Sequence, residues 1–160
     1  MPKAPFPLRP MTLDDLAQVL EIERDAYSFP WPIGIFRDCL RVGYCCRVVE
    51  RYGRIEVYGI MSVAAGEAHL LNLCVRKSSQ RMGLGRGVLR HLMELAALQG
   101  ADIMFLEVRP SNLPALQLYE RMGFNTTGIR RGYYPALHRR EDALVLACQI
   151  AHTAIVGERR

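Results

Sequence analysis

Residues 71–87 constrain this chain more than any other stretch. Leu71-Asn72-Leu73-Cys74-Val75 is an apolar run that reads as the end of a strand. Gln80-Arg81-Met82-Gly83-Leu84-Gly85-Arg86-Gly87 then leads into an amphipathic segment that reads as a helix from about Leu84 to Gln99. A strand feeding a glycine-rich turn at a helix N-terminus gathers free backbone N–H groups and the positive end of the helix dipole at one point. Phosphate binds at such a point, and Arg81 and Arg86 add positive charge. Glycine is needed there because a Cβ holds an anion away from the backbone. Gly87 sits inside the first helical turn at a cost of about 1 kcal/mol relative to alanine, so a local reason for it is expected. A plain glycine-rich turn is the alternative. The Rossmann pattern G-x-G-x-x-G fails because Val88 stands where its last glycine belongs. The P-loop fails for want of its Gly-Lys-Ser/Thr ending.

The rest of the chain divides into short elements. Phe6 to Arg9 reads as a first strand ending at Pro10. Thr12 with Asp15 makes a capping-box-like helix start, followed by Leu13, Leu16, Leu20 and Tyr27 at near-helical spacing. Phe29-Pro30-Trp31-Pro32 stops that helix, and a second short helix is expected from Ile33 to Leu40. Tyr44 to Glu50, Ile55 to Val63 and Ala68 to Val75 read as three strands of an antiparallel meander, turning at Tyr52-Gly53-Arg54 and Ala65-Gly66-Glu67. Val88, Leu92 and Leu95 mark one face of the long helix, and Gly100 closes it. Ile103 to Val108 reads as a central strand buried on both faces. Asn112, Pro114 and Gly123 delimit a short helix, and Phe124 to Ile129 and Ala143 to Ile150 are the last strands. The order β-α-α-β-β-β-α-β-α-β-β is mixed α/β and not a regular doubly wound sheet. With no repeats or linker-like stretches in 160 residues, one domain over 1–150 and a tail over 151–160 are expected.

Composition excludes more than it identifies. No apolar stretch is long enough to span a bilayer and the N-terminus does not resemble an export signal, so a soluble cytoplasmic protein with no membrane role is expected. The five cysteines have no C-x-x-C spacing and the four histidines no metal-ligand spacing, so no metal is expected. A net charge of +5 suits an anionic partner. The glycine turn favours a phosphate-rich small molecule over nucleic acid, for which the aromatic-basic interleaving of RNA-binding strands is missing.

Gln80-Arg81-Met82-Gly83-Leu84-Gly85 resembles the Q/R-x-x-G-x-G/A signature of the GNAT N-acetyltransferases, and the run of elements is similar to that superfamily from about Phe6 to Ile150. The resemblance implies a mixed, mostly antiparallel sheet splayed into a V and flanked by helices, with acetyl-CoA as co-substrate. It implies that Arg81, Met82, Gly83, Leu84, Gly85, Arg86 and Gly87 cradle the pyrophosphate. The backbone of Leu73, Cys74 and Val75 would pair with the pantetheine arm as an added strand, with one of its N–H groups, near Cys74 or Val75, holding the oxyanion. Lys77 departs from the proline of many members.

Acetyl transfer from a thioester to an amine requires a proton acceptor for the amine, an oxyanion site and a proton donor for the thiolate. Glu107 is the lone charge in Ile103–Val108, and a buried carboxylate must be paired or face a cavity. It is read either as a general base, acting directly or through water, or as half of a salt bridge. Tyr119 shares a helical face with Ala115 and Met122, which by spacing alone suggests packing. However, Asn112-x-x-Ala115-x-x-Leu118-Tyr119-x-x-x-Gly123-Phe124 resembles the superfamily segment whose tyrosine protonates the coenzyme A thiolate and whose asparagine contacts the cofactor. Cys74 as an acyl-accepting nucleophile is a further alternative.

Phe105-Leu106-Glu107-Val108-Arg109, Arg130-Arg131-Gly132-Tyr133-Tyr134-Pro135 and Arg140-Glu141-Asp142-Ala143 resemble one subfamily, the bacterial ribosomal-protein alanine N-acetyltransferases. That likeness implies Glu107 as proton acceptor and Tyr119 as proton donor. It also implies, as substrate, the N-terminal alanine of a small-subunit ribosomal protein. Phe29 and Trp31, in a loop also similar to that subfamily, are expected with Tyr133 and Tyr134 to wall the peptide N-terminus. Transfer to a lysine or a small amine, or a coenzyme-A-binding module with little activity, remain open alternatives.

Overall fold

Two reversals of the chain are fixed by residues at positive φ. In the computed structural model, which describes residues 7–151, Tyr52 (φ 53°) and Gly53 (φ 76°) join strand β2 (Cys45–Arg51) to β3 (Arg54–Ala64). Ala65 (φ 51°) and Gly66 (φ 81°) likewise join β3 to β4 (Glu67–Val75). Positive φ at both central residues is the mirror-image turn whose twist matches paired strands, so each turn is tighter than the three-residue reversals expected.

The chain forms two compact units. The first comprises residues up to Met61 together with Leu71–Leu92. Strand β1 (Leu8–Pro10) pairs antiparallel with β2, and β2 antiparallel with β3. The part of the expected first strand at Phe6 lies outside the described residues. Asp15 accepts the Thr12 N–H at 2.8 Å and both Arg9 terminal nitrogens at 2.8 and 2.7 Å. It therefore closes the capping box and ties β1 to the helix start. Helix α1 spans only Leu16–Ala26, because a 3-10 turn takes Leu13–Asp15. The tighter turn carries Leu13 off the apolar face, where it was expected, and leaves it 65% exposed. Helix α2 covers Ile33–Arg41. Leu16, Val19, Leu20, Phe36, Val48, Ile55, Tyr58 and Ile60 fill this core. At Gly59 of β3, an added Cβ would meet Val88 Cγ1 and Leu92 Cδ1 of helix α3 (Leu84–Leu98), each at 2.9 Å.

The second unit comprises Ser62–Leu70 and the chain from Met93 onward. The first residues of β4 run parallel to β5 (Ile103–Val108), from Glu67 opposite Ile103 to Leu70 opposite Leu106. Strand β5 pairs antiparallel with β7 (Glu141–Gln149), and β7 antiparallel with β6 (Asn125–Tyr134). Among the described residues the strand order β1-β2-β3-β4-β5-β7-β6 makes a seven-stranded mixed sheet, accompanied by four α-helices. Helix α4 (Leu113–Arg121) starts as expected, with Asn112 Oδ1 accepting the Ala115 N–H at 3.3 Å and Pro114 in the first turn; Gly123 (φ 96°) follows its end.

Two expectations need correction. Strand β5 is not equally buried on its two faces: Met104, Leu106 and Val108 are buried, while Ile103, Phe105 and Glu107 are half-buried, the period-2 signature of unequal sides. Strand β6 does not stop at Ile129 but continues to Tyr134 through a register irregularity between Arg130 and Tyr134, with Gly132 at φ 58°. A bulge absorbs the residues that do not fit the ladder.

Candidate active site

In the first unit, Val75 ends β4 and a 3-10 turn over Lys77–Ser79 leads to the glycine turn. Glu56 anchors that passage from β3: its carboxylate accepts from the Ser79 hydroxyl and from Arg54 Nε at 3.2 Å, and its carbonyl accepts the Arg76 N–H at 2.8 Å. Arg81 (φ 65°) and Gly83 (φ 77°) both adopt the left-handed conformation. The Gly87 N–H then makes a helical bond to the Gly83 carbonyl at 3.0 Å. The amides of Leu84, Gly85 and Arg86 therefore occupy the first turn of α3, ahead of any helical acceptor, as an anion cradle requires. Leu84 and Gly85 are buried, Arg81, Met82 and Arg86 are exposed, and Gly87 is half-buried. Arg51, which the sequence did not single out, reaches this turn with Nη2 3.7 Å from Met82 Sδ.

Cys74 is buried with its thiol pushed up to about 12, first by burial and then by the charge of Glu23. A thiol so placed is a poor thiolate at neutral pH, which argues against the nucleophile reading; Leu73 and Val75 on either side are half-buried. Trp31 lies in the α1–α2 loop, 5.3 Å ring to ring from Phe36, and Phe29 is exposed in the same loop. The loop is held by buried Glu23, whose Oε2 accepts the Trp31 N–H at 2.8 Å; Oε1 takes the Tyr58 hydroxyl and Asn72 Nδ2 (2.9 Å).

The second unit holds the ionisable cluster. Glu107 Oε2 lies 2.5 Å from His69 Nε2, and Oε1 lies 3.3 Å from Arg130 Nε. The hydrogen bond from His69, opposed by desolvation and helped by the Arg130 charge, holds the Glu107 carboxyl below its usual range. Of the two readings of this carboxylate, the salt bridge is present, and the base reading must now accommodate it. Around it, Tyr133 and Tyr134 of β6 meet edge to face at 5.0 Å. The Arg109 guanidinium stacks 4.4 Å over the Tyr134 ring and pairs with Glu141 at 3.0 Å, while Arg130 lies 5.5 Å over Tyr133. Burial, and then the Glu107 charge, push the Tyr134 hydroxyl up to about 12. Tyr119 is buried on α4, its ring 5.7 Å from Phe124. Asn112 spends its side-chain oxygen on the helix cap.

His69 is the member that sequence reasoning missed. It stands in β4 opposite Phe105, on the half-buried face that also carries Glu107. Only the period-2 alternation of β4 hinted at this, and the parallel register that brings it to Glu107 is not written locally.

The acetyltransferase (GNAT) family matches residues 16–124. Among curated relatives, the [ribosomal protein bS18]-alanine N-acetyltransferase of Escherichia coli K12 is 39% identical over 137 residues, covering 86% of this chain and 93% of that protein. The Salmonella typhimurium protein of the same name is 37% identical, covering 88% and 95%. In fold, the crystal structure of the ribosomal-protein-S18-alanine N-acetyltransferase from E. coli superposes with a TM-score of 0.83 at 37% identity, over 90% of this chain and 93% of that one. Ard1 from Thermoplasma volcanium shares the fold at a TM-score of 0.83 and 21% identity, over 91% and 97%.

Proposed function

The chain belongs to the acetyltransferase (GNAT) family, and on that footing we propose that it transfers the acetyl group of acetyl-CoA to the α-amine of an N-terminal alanine on a ribosomal protein. The observation that carries the reading is identity of 39% to a bS18-alanine N-acetyltransferase across nearly the whole length of both chains. The ionised, hydrogen-bonded Glu107 and the uncovered amides at the start of α3 supply chemistry of the required kinds.

In this reading the coenzyme A pyrophosphate is held by the turn from Arg81 to Gly87, and the pantetheine arm by the backbone of Leu73, Cys74 and Val75, with Asn112 as a further contact. Phe29, Trp31, Tyr133 and Tyr134 enclose the peptide N-terminus. An α-ammonium has a reference value of about 7.7–8.0 against about 10.4 for a lysine, so modest help suffices to free the nucleophile. That proton passes to the Glu107 site. The amine attacks the thioester carbonyl, a backbone N–H near Cys74 or Val75 steadies the oxyanion, and the C–S bond breaks as the Tyr119 hydroxyl protonates the departing thiolate. The proton shed by the tetrahedral adduct restores Tyr119, and the net yield is one acetamide, one free thiol and one proton. The full proposal places the target in the small ribosomal subunit and the enzyme in the cytoplasm, working as one catalytic domain without contacting nucleic acid or membrane.

The test is mass spectrometry of an alanine-starting peptide that also carries an internal lysine, incubated with acetyl-CoA and the protein. Acetylation of the α-amine is expected. Acetyl groups on the lysine alone would overturn the substrate, and no acetylation with intact acetyl-CoA binding would leave a binding module.

A further inference from the structure

Glu107 lies behind His69. The carboxylate side chain is 9% exposed and the imidazole that covers its Oε2 is 36% exposed. Because the β4–β5 ladder is parallel with His69 opposite Phe105, both side chains rise from the same sheet face. Strand β6 contributes Arg130 to the other carboxylate oxygen. Glu107 thus meets one cation and one hydrogen-bonding ring nitrogen, and an ionised carboxylate can only accept. The hydrogen on the 2.5 Å contact must therefore belong to His69 Nε2. The neutral ring then carries its lone pair on Nδ1, which has no hydrogen-bond partner among the described residues.

We propose that Nδ1 of His69 is the atom that takes the proton from the substrate ammonium, with Glu107 as a positioning residue behind it. This rests on the acetyltransferase reading and changes which atom acts within it. In the step, the ammonium N–H bond breaks and leaves its electron pair on nitrogen. The proton bonds to Nδ1, and the resulting imidazolium is stabilised by the Glu107 carboxylate it already touches. After transfer, the imidazolium returns that proton to water. The arrangement is the carboxylate–imidazole logic of hydrolytic triads, in which the carboxylate fixes the tautomer and stabilises the imidazolium without itself being protonated.

Proton affinities favour this order. An ordinary imidazole lies about 1.5 units below an α-ammonium and an ordinary carboxylate about 3.5 units below it. Glu107 is held lower still by its hydrogen bond from His69. A base matched more closely to the operating pH and to its substrate is the better catalyst. The charged and titratable groups facing the pair are Arg130, Tyr133 and Tyr134 from β6, Arg109 just past the end of β5, and Glu141 from β7. Arg109 is already neutralised by Glu141. Arg130 sits on the far carboxylate oxygen and not on the oxygen that meets His69.

The experiment compares wild type, His69→Gln and Glu107→Gln in kcat/KM for an alanine-starting peptide from pH 5 to 9, with the peptide's own amine titration common to all three. Glutamine at 69 retains a donor for Glu107 but has no basic nitrogen. A loss of about 100-fold or more is expected for His69→Gln, with the acid-limb inflection of the wild type removed and the KM for acetyl-CoA unchanged. Glu107→Gln should lower the rate but keep an acid-limb inflection, because the basic ring nitrogen is still present. A His69→Gln rate within about threefold of wild type, beside an inactive Glu107→Gln, would overturn the proposal. Nitrogen-15 spectra of the His69 ring in the wild-type protein give a second readout that does not depend on turnover. An Nε2-protonated tautomer is expected, and an Nδ1-protonated one overturns the proposal. Wild-type protein that acetylates no α-amine but shows the Nε2 tautomer would refute the substrate reading and leave the His69–Glu107 geometry standing.

Discussion

Replacing Glu23 with glutamine changes one atom of a side chain that is 2% exposed. Two donors, the Tyr58 hydroxyl and Asn72 Nδ2, converge on Oε1, and the Trp31 backbone N–H meets Oε2 at 2.8 Å. A carboxylate accepts all three; an amide offers one acceptor oxygen and one NH2. If the NH2 takes the Oε2 position, it faces the Trp31 N–H, and the loop loses its tether. If it takes the Oε1 position, the Tyr58 hydroxyl can rotate to accept, but Asn72 must turn its amide over. The first arrangement strands the Trp31 N–H, and the second turns the Tyr58 hydroxyl and Asn72 amide hydrogens away from the acceptor they had. Loss of a hydrogen bond to a charged acceptor costs about 1.5–3 kcal/mol and an unsatisfied buried donor about 1–3 kcal/mol, partly relieved by water at the loop. The expected destabilisation is about 2–4 kcal/mol, on the order of 10 °C in Tm for a chain of this size. Urea unfolding at neutral pH measures it. Because the tether holds Trp31, a rise in peptide KM with unchanged acetyl-CoA KM is also expected. Destabilisation below about 1 kcal/mol together with an unchanged peptide KM would refute the claim that Glu23 positions the loop.

Four further outcomes are expected. Tyr119→Phe keeps the ring against Phe124 and should cost about 1 kcal/mol or less of stability but about 100-fold in turnover; a wild-type rate would return this tyrosine to packing alone. Gly85→Leu should abolish the thermal stabilisation given by acetyl-CoA, and retained stabilisation would remove the turn at α3 from cofactor binding. Gly59→Ala places a methyl 2.9 Å from Val88 Cγ1 and Leu92 Cδ1; since valine is stiff at χ1, a loss of about 1–3 kcal/mol by calorimetry is expected, and a neutral effect would contradict the close approach of α3. Asp15, lowered chiefly by its hydrogen bond from Arg9, and Glu107, lowered chiefly by His69, both have folded values below their unfolded ones, about 4. Their contribution is complete above that value and lost as pH falls through the folded values, so Arg9→Gln should narrow the gap in unfolding free energy between pH 6 and pH 3; an unchanged gap would detach Asp15 from acid stability.

The parts of this fold that were legible in the sequence are those whose cause lies within a few residues. Gly53 and Gly66 mark turns because the backbone there must reach positive φ. Asn112 and Pro114 announce α4 because an N-cap oxygen and a missing N–H both suit a first turn. The glycine turn is legible for the same local reason, since Arg81 and Gly83 stand at positive φ ahead of α3. Leu13 is exposed although its spacing suits the apolar face, because a 3-10 turn and an α-turn share the same capping residues and differ in how far they rotate the side chains that come after.

The partner of Glu107 has a cause of another kind. His69 is 38 residues away, and the two meet only if β4 and β5 are parallel and in one register. A slip of one residue would send His69 to the opposite face, since side chains alternate with period 2. The register is pinned ahead of the ladder, where the Asp102 N–H donates to the Gly66 carbonyl at 2.9 Å and the next pair is Glu67 opposite Ile103. Gly66 serves its turn through its positive φ of 81°, and its carbonyl takes part in that contact. One residue therefore takes part both in the hairpin, through its φ, and in the alignment of β4 with β5, through its carbonyl, and that alignment places an imidazole in front of the carboxylate.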